Sequence, residues 1–391
     1  MILNSKDLNK KDKYSSGESF LGAIIYAVLL AYVPTLLFCN IPELAVEAYS
    51  IAAVALFAFS LYKLTTSKRA LVSLIIPAGI LFLFGGSFVA FAVIVSFISS
   101  VALLACLIYK ADSFAARALP ILFTVAVYLV ISIFSGSFIV AATCFAALPA
   151  AITLALCLFA KVPRVSTVCR VSIALLAPSL VLFLAWFLLL ENGDTEALVA
   201  TVDYIKAGLA DTYAESMIAI GMAEDTPETY TFAKSSVTLL FNLLPAVVIT
   251  TLNIVAYMLQ SFTATMVVSE SSDKETVVSL YAFKMSTCSA VVFFAFLVLY
   301  AVLLEEGRDD LAMAALNVIV ILVPGLINTT LVTIKRLTFL RKASCLGVIL
   351  YVGAIMLLIN IPEYSIIGGS IIGAAILVIG AARGAIMKAS E

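Results

Sequence analysis

The sequence predicts an all-α fold: a polytopic transmembrane helix bundle of about 12 spans, both termini cytoplasmic, with one amphipathic extracytoplasmic helix. Three observations carry this. Only 12% of the 391 residues are charged, about half the share of a soluble domain, so there is too little charge to cover a water-facing surface. Apolar runs of about 20 residues, the length that crosses the hydrocarbon core as a helix, recur along the chain. The basic residues collect in alternate loops, as the positive-inside rule asks of cytoplasmic ones.

The elements follow in order. Residues 1–18 are a mixed-charge cytoplasmic tail, and 19–39 is a first span, too long for a cleaved signal core. A second span covers 47–63. The runs 70–109 and 117–160 are about twice the length one crossing needs, so each should fold as two spans. Gly85-Gly86-Ser87 and Ser135-Gly136-Ser137 supply the turns. The seventh span, 171–190, closes the first bundle, 19–190. After the polar segment 191–237, a second bundle, 238–391, holds runs 239–268, 286–304, 311–334, 345–360 and 365–382. This topology puts 20 of the 23 Lys and Arg inside and leaves Lys206, Lys234 and Arg308 outside, while 16 of the 24 acids lie outside. Tyr49, Tyr62, Tyr109, Tyr300 and Tyr364 mark span ends, as headgroup-level aromatics do. Lys284, at the start of span 9, reads as a snorkelling interface residue.

Composition excludes several functions. With no histidine there is no Ser-His-Asp or Cys-His nucleophile, no HExxH zinc site and no His ligand for haem. No GxxxxGK[ST] loop is present, so ATP hydrolysis would need a partner. The seven cysteines form no CxxC pair and sit in apolar runs, where Cys behaves as a small hydrophobe. A net charge of -1 argues against nucleic acid. No catalytic, metal or cofactor residue is expected, and the chain reads as a non-enzyme. A lipid-directed enzyme using loop carboxylates is disfavoured, since no spacing singles out a catalytic pair.

Residues 191–237 are the long polar segment. Leu198, Val202, Ile205, Leu209, Tyr213, Met217 and Ile220 recur at three- and four-residue steps, the pattern of an amphipathic helix, with Asp194 placed to cap it and Glu196 in its first turn. Thr226-Pro227-Glu228 starts a second helix leading to span 8. The first helix is either a lid over an outward-facing cavity or an interfacial packing element. Its acidic face suits anionic lipid poorly.

Inside the spans the polar vocabulary is amide, hydroxyl and proline. Asn242, Asn253 and Gln260 share a face of span 8 at helical spacing, and Asn317 and Asn328 share one in span 10. Pro245 leads to Thr250-Thr251 and Pro324 to Thr329-Thr330 at the same spacing. A proline frees a backbone carbonyl, and broken helices of this kind line transporter sites. These nine residues are either ligand contacts or interhelical hydrogen-bonding glue. The GxxxG spacings Gly369–Gly373 and Gly380–Gly384 suit close packing within the chain.

The acidic loop before Asn242-Leu243-Leu244-Pro245, the long span 8, the Phe283-Lys284-Met285-Ser286 approach and the closing spans together resemble the YybS-like family of uncharacterised bacterial multi-pass membrane proteins, over residues 191–390. That resemblance implies a cell-membrane location and, by fold-level analogy with substrate-binding subunits of energy-coupling-factor transporters, solute capture. It carries over no site residues.

The expected function is a transporter, or the substrate-capture subunit of one, for a small weakly charged solute. Its energy would come from an ion gradient or from a partner ATPase docked on the basic cytoplasmic loops 161–170 and 335–344. The alternative is a non-catalytic membrane scaffold or assembly partner.

Overall fold

The computed structural model describes residues 22, 25, 26, 29, 43–64, 88–111, 113–135, 138–190, 194–267, 285–339 and 362–389. Among them are eleven helices and no strand: α1 (Glu43–Leu64), α2 (Phe88–Lys110), α3 (Phe114–Ser135), α4 (Phe138–Phe159), α5 (Arg164–Leu190), α6 (Thr195–Ala219), α7 (Pro227–Asn242), α8 (Leu244–Val267), α9 (Thr287–Glu305), α10 (Asp309–Phe339) and α11 (Pro362–Ala389). Five of these are long and apolar enough to cross a membrane, over Arg164–Val181, Leu244–Val267, Thr287–Glu305, Asp309–Ile334 and Ser365–Arg383. Helices α1 to α4 carry shorter apolar stretches. Helix α3 ends at Ser135 and α4 begins at Phe138, so run 117–160 holds two helices; Gly136 and Ser137 of the predicted turn lie outside the described residues. The predicted spans 345–360 and, apart from four helical residues, 19–39 lie outside the described residues. So do the first half of run 70–109 with its Gly85-Gly86-Ser87 turn, and Lys284.

An apolar core is joined here by an outer surface far more apolar than that of a water-soluble protein. Large apolar residues such as Phe114, Ile133, Leu188, Val298 and Ile367 are exposed, while serines and threonines are buried. Patches this apolar suit lipid, not water. Most of the buried hydroxyls are tolerated because they bond back to a carbonyl one turn earlier, as Thr263 does to Leu259 at 2.7 Å and Ser172 to Val168 at 2.8 Å; Ser96 is buried without a partner among the described residues.

The chain divides into two compact units. The first comprises residues 1–182 and 252–282. In it α2 packs against α1, α3 and α4, and every residue of its stretch Val101–Ile108 is buried. The second half of α8 is also buried, from Met258 to Met266, with Phe262 set 5.3 Å from the Phe57 ring and the Thr263 carbonyl accepting from Cys106 Sγ at 3.8 Å. Helix α5 begins at Arg164, well before the predicted start at 171. Arg164 is only 5% exposed: its guanidinium lies 4.1 Å from the centroid of the Tyr257 ring and donates to Ser261. Stacking on an aromatic face lets a cation enter the bundle, so charge alone misplaced the helix boundary.

The second unit comprises residues 183–251 and 283–391. Helices α6 and α7 form a hairpin. Asp194 caps α6 as predicted, Oδ1 accepting from the amides of Glu196 at 2.9 Å and Ala197 at 3.3 Å. Gly221, at φ 72°, closes α6 in the left-handed region that glycine adopts without strain. The hairpin packs through small residues, Ala210 and Ala214 of α6 against the face of α7 carrying Thr229, Ala233 and Val237. The predicted apolar stripe packs only in part: Leu198, Val202 and Met217 are half-buried, while Ile205, Leu209, Tyr213 and Ile220 stay exposed. Helices α9, α10 and α11 pack mutually around Phe293, Ile319, Leu326 and Ala374. Gly373 permits the close approach of α11 to α10, because a Cβ there would stand 2.2 Å from the Leu326 carbonyl oxygen. The Thr330 hydroxyl donates to the Gly369 carbonyl beside it at 2.7 Å.

Candidate functional site

The apolar run 239–268 is not one helix. Helix α7 ends at Asn242, Leu243 forms the joint, and α8 begins at Leu244. Pro245 therefore sits in the first turn of a new helix, where its missing N–H costs nothing, instead of kinking the middle of a span. Hydropathy cannot register such a break, because the residues around it are as apolar as the helices.

Asn317 of α10 completes the joint. In an unbroken helix the Ala246 amide would donate to the Asn242 carbonyl. Instead the Ala246 amide donates to Asn317 Oδ1 at 3.1 Å, and Asn317 Nδ2 donates to the Asn242 carbonyl at 3.0 Å. A second Nδ2 hydrogen goes to the Met313 carbonyl, also at 3.0 Å. The carboxamide thus replaces one backbone rung, with both donors and its acceptor used.

The service is returned. Pro324 lies within α10 and leaves the carbonyl four residues back, Val320, without its amide partner. The Thr250 hydroxyl of α8 donates to that carbonyl at 3.4 Å. Each helix therefore mends an interruption in the other: Asn317 bridges the α7–α8 joint, and Thr250 closes the Pro324 defect.

Above the joint lies an open cleft of about 430 Å³ lined by Thr231, Lys234, Ser235, Thr238, Leu239 and Asn242 of α7 and by Met313 of α10. A second cleft of about 400 Å³ adjoins it, sharing Thr231 and Ser235 and adding Glu228 and Phe232. Thr231, Ser235, Thr238 and Asn242 fall within about 60° of one another around α7, on a face away from the residues packed on α6. Asn317 bonds to the backbone of Asn242 and Met313, so one amide ties the two walls of this cleft. Nearby, the Tyr230 phenol is held above its ordinary value, first by the charge of Asp225, with Glu215 and Asp211 adding to it.

The nine predicted residues are not brought to one place. Asn253 and Gln260 belong to the first unit: Asn253 Oδ1 lies 2.7 Å from the Ser172 hydroxyl, and Gln260 is only 2% exposed. In the second unit, Asn317 bridges the α7–α8 joint, Thr250 closes the Pro324 defect, Thr330 ties α10 to α11, and Thr329 bonds to its own helix at Gly325. Thr251 is exposed. Asn328 buries an Nδ2 with no hydrogen-bond partner among the described residues. Asn242 lines the cleft, but it ends α7 and so shares no helix face with Asn253. Sequence reading missed Glu228, Thr231, Lys234, Ser235, Thr238 and Met313. The signal available was the recurrence of hydroxyl and amide side chains at 231, 235, 238 and 242, one helical face. No family model matches this chain, and neither does any curated protein or solved structure.

Proposed function

We propose that this is a multi-pass cell-membrane protein that captures a small, weakly charged solute, as a transporter or the substrate-capture subunit of one, and that capture occurs in the cleft above the α7–α8 joint. The observation that carries the reading is the Asn317 carboxamide, which holds the joint where α7 meets the span-length helix α8 and ties both walls of the cleft beside it. Substrate sites at helix breaks are a recurring transporter solution, because a break offers backbone and side-chain polar groups within an apolar bundle. In the twelve-span topology the α6–α7 hairpin is extracytoplasmic and the cleft opens outward. Energy would come from an ion gradient or from an ATPase docked at loops 161–170 and 335–344. Kinship to YybS-like proteins belongs to the same proposal.

The test is ligand-induced thermal stabilisation of the full chain in lipid nanodiscs across a panel of small solutes. Ser235→Trp, which fills the shared waist of the two clefts, should abolish the response. Asn253→Leu, in the other unit, should leave it intact. A solute that binds Ser235→Trp as well as the unaltered protein would put the site elsewhere. Reporter fusions within 191–237 and 335–344 should give opposite signals if the topology is right.

A second reading, a non-catalytic scaffold, is favoured by the exposed stripe Ile205, Leu209, Tyr213 and Ile220. It expects a stoichiometric partner crosslinking to that stripe, and no solute response.

A further inference from the structure

We infer that the solute is a zwitterion, carrying an ammonium and a carboxylate on one small molecule; this rests on the proposed capture site and adds its chemistry. The Thr231 hydroxyl donates to the Pro227 carbonyl at 2.9 Å, Ser235 to Phe232 at 2.8 Å and Thr238 to Lys234 at 2.8 Å. Each hydroxyl has one hydrogen and has committed it to its own helix, so what these groups offer the cleft is lone pairs. The lane along α7 accepts hydrogen bonds and favours a ligand that donates them.

Two charges of opposite sign flank the lane. Lys234 lines the larger cleft and Glu228 the adjoining one, and neither forms an ion pair among the described residues. They are six positions apart on α7, about 9 Å along the axis, with Thr231 and Ser235 between them. They also stand about 120° apart around the helix, one on either edge of the lane, so a bound molecule would bridge the charges across it.

The other charge classes fit worse. An anion satisfies Lys234 but meets a lane of acceptor oxygens and a hairpin rich in acids, among them Asp211, Glu215 and Asp225. A cation suits the lane and Glu228 but must lie beside Lys234. A polyol fits the hydroxyls and leaves both charges without use. A zwitterion answers Lys234 with its carboxylate, and Glu228 and the lane with its ammonium. Being neutral overall, it gains both contacts without long-range repulsion.

The experiment is a titration of the full chain in nanodiscs with ω-amino acids of increasing length: glycine, β-alanine, 4-aminobutyrate and 6-aminohexanoate. Butylamine, butyrate and sorbitol serve as single-function controls. The expected result is an affinity optimum at one chain length, above every control, lowered about tenfold by either Glu228→Gln or Lys234→Gln. Binding of a control as tight as the best amino acid, insensitive to both charge variants yet lost in Ser235→Trp, overturns the zwitterion and leaves the cleft standing. Amino-acid binding that survives Ser235→Trp overturns the site itself. No response to any probe, in protein whose melting is cooperative, overturns the zwitterion as well.

Discussion

Asn317 Nδ2 donates to the Asn242 carbonyl at 3.0 Å, standing where the amide of Ala246 would stand in an unbroken helix. One side chain on α10 thereby ties the end of α7 to the first turn of α8. It is glue in the energetic sense and a cleft component in the geometric one, so the two readings of the amide residues meet at this position.

Removing that amide should be costly. Asn317→Leu leaves the Ala246 N–H and the Asn242 carbonyl without their partner, a loss of about 1–3 kcal/mol. Thermal unfolding in detergent reads it. Asn317→Asp keeps the acceptor for Ala246 and loses both donors, so it should fall between. A melting temperature unchanged by the leucine variant would refute the joint.

The reciprocal closure predicts energetic coupling. Pro324→Ala restores an amide able to reach the Val320 carbonyl, which makes the Thr250 hydroxyl bond redundant. Thr250→Val should therefore cost less in the Pro324→Ala background than alone, by about 0.5–1 kcal/mol in a double-mutant cycle. Strict additivity would mean that the 3.4 Å contact contributes nothing.

The glycines of α11 should differ sharply in tolerance. Gly373→Ala drives a methyl against the Leu326 carbonyl and should destabilise by about 1–3 kcal/mol through separation of α10 from α11. Gly380→Ala meets nothing within 4 Å and should change stability by less than about 0.5 kcal/mol. Equal effects at the two sites would contradict the packing.

Titration of the hairpin should be visible at high pH. The neighbouring carboxylates favour the neutral phenol of Tyr230 in the folded state, Asp225 foremost. The folded value is thus above the unfolded one, near 10, and the associated stability is present below about pH 10 and ebbs as pH rises through the raised value. The phenolate absorbance difference between the unaltered protein and Tyr230→Phe should titrate late. Asp225→Asn should bring it back toward the ordinary value.

The sequence was informative where local chemistry decides. Asp194 caps α6, Pro227 opens α7, and run 117–160 is divided after Ser135, because each is settled within a few residues. It was silent where tertiary partners decide. The joint at Leu243 sits in an unbroken apolar run and depends on an amide about 70 positions away. Arg164 looks like a loop cation until Tyr257 is placed beneath it. The hairpin interface was concealed for the opposite reason: pattern reading favours large apolar residues, and α6 packs through Ala210 and Ala214. Of the site, Asn242 and Asn317 were legible as polar residues in apolar surroundings. The hydroxyl lane was not, because its residues lie in a segment where polarity is unremarkable.

The alanine interface of the hairpin also sets a clock. Parting α6 from α7 uncovers few fully buried side chains, chiefly alanines, whereas freeing α2 would uncover the whole buried stretch Val101–Ile108. Amide protons of α6 should trade with deuterium through local opening long before those of α2, whose release waits for the loss of the whole first unit. A single chain then carries two lifetimes, a fleeting one in the polar hairpin and a lasting one in the buried helix.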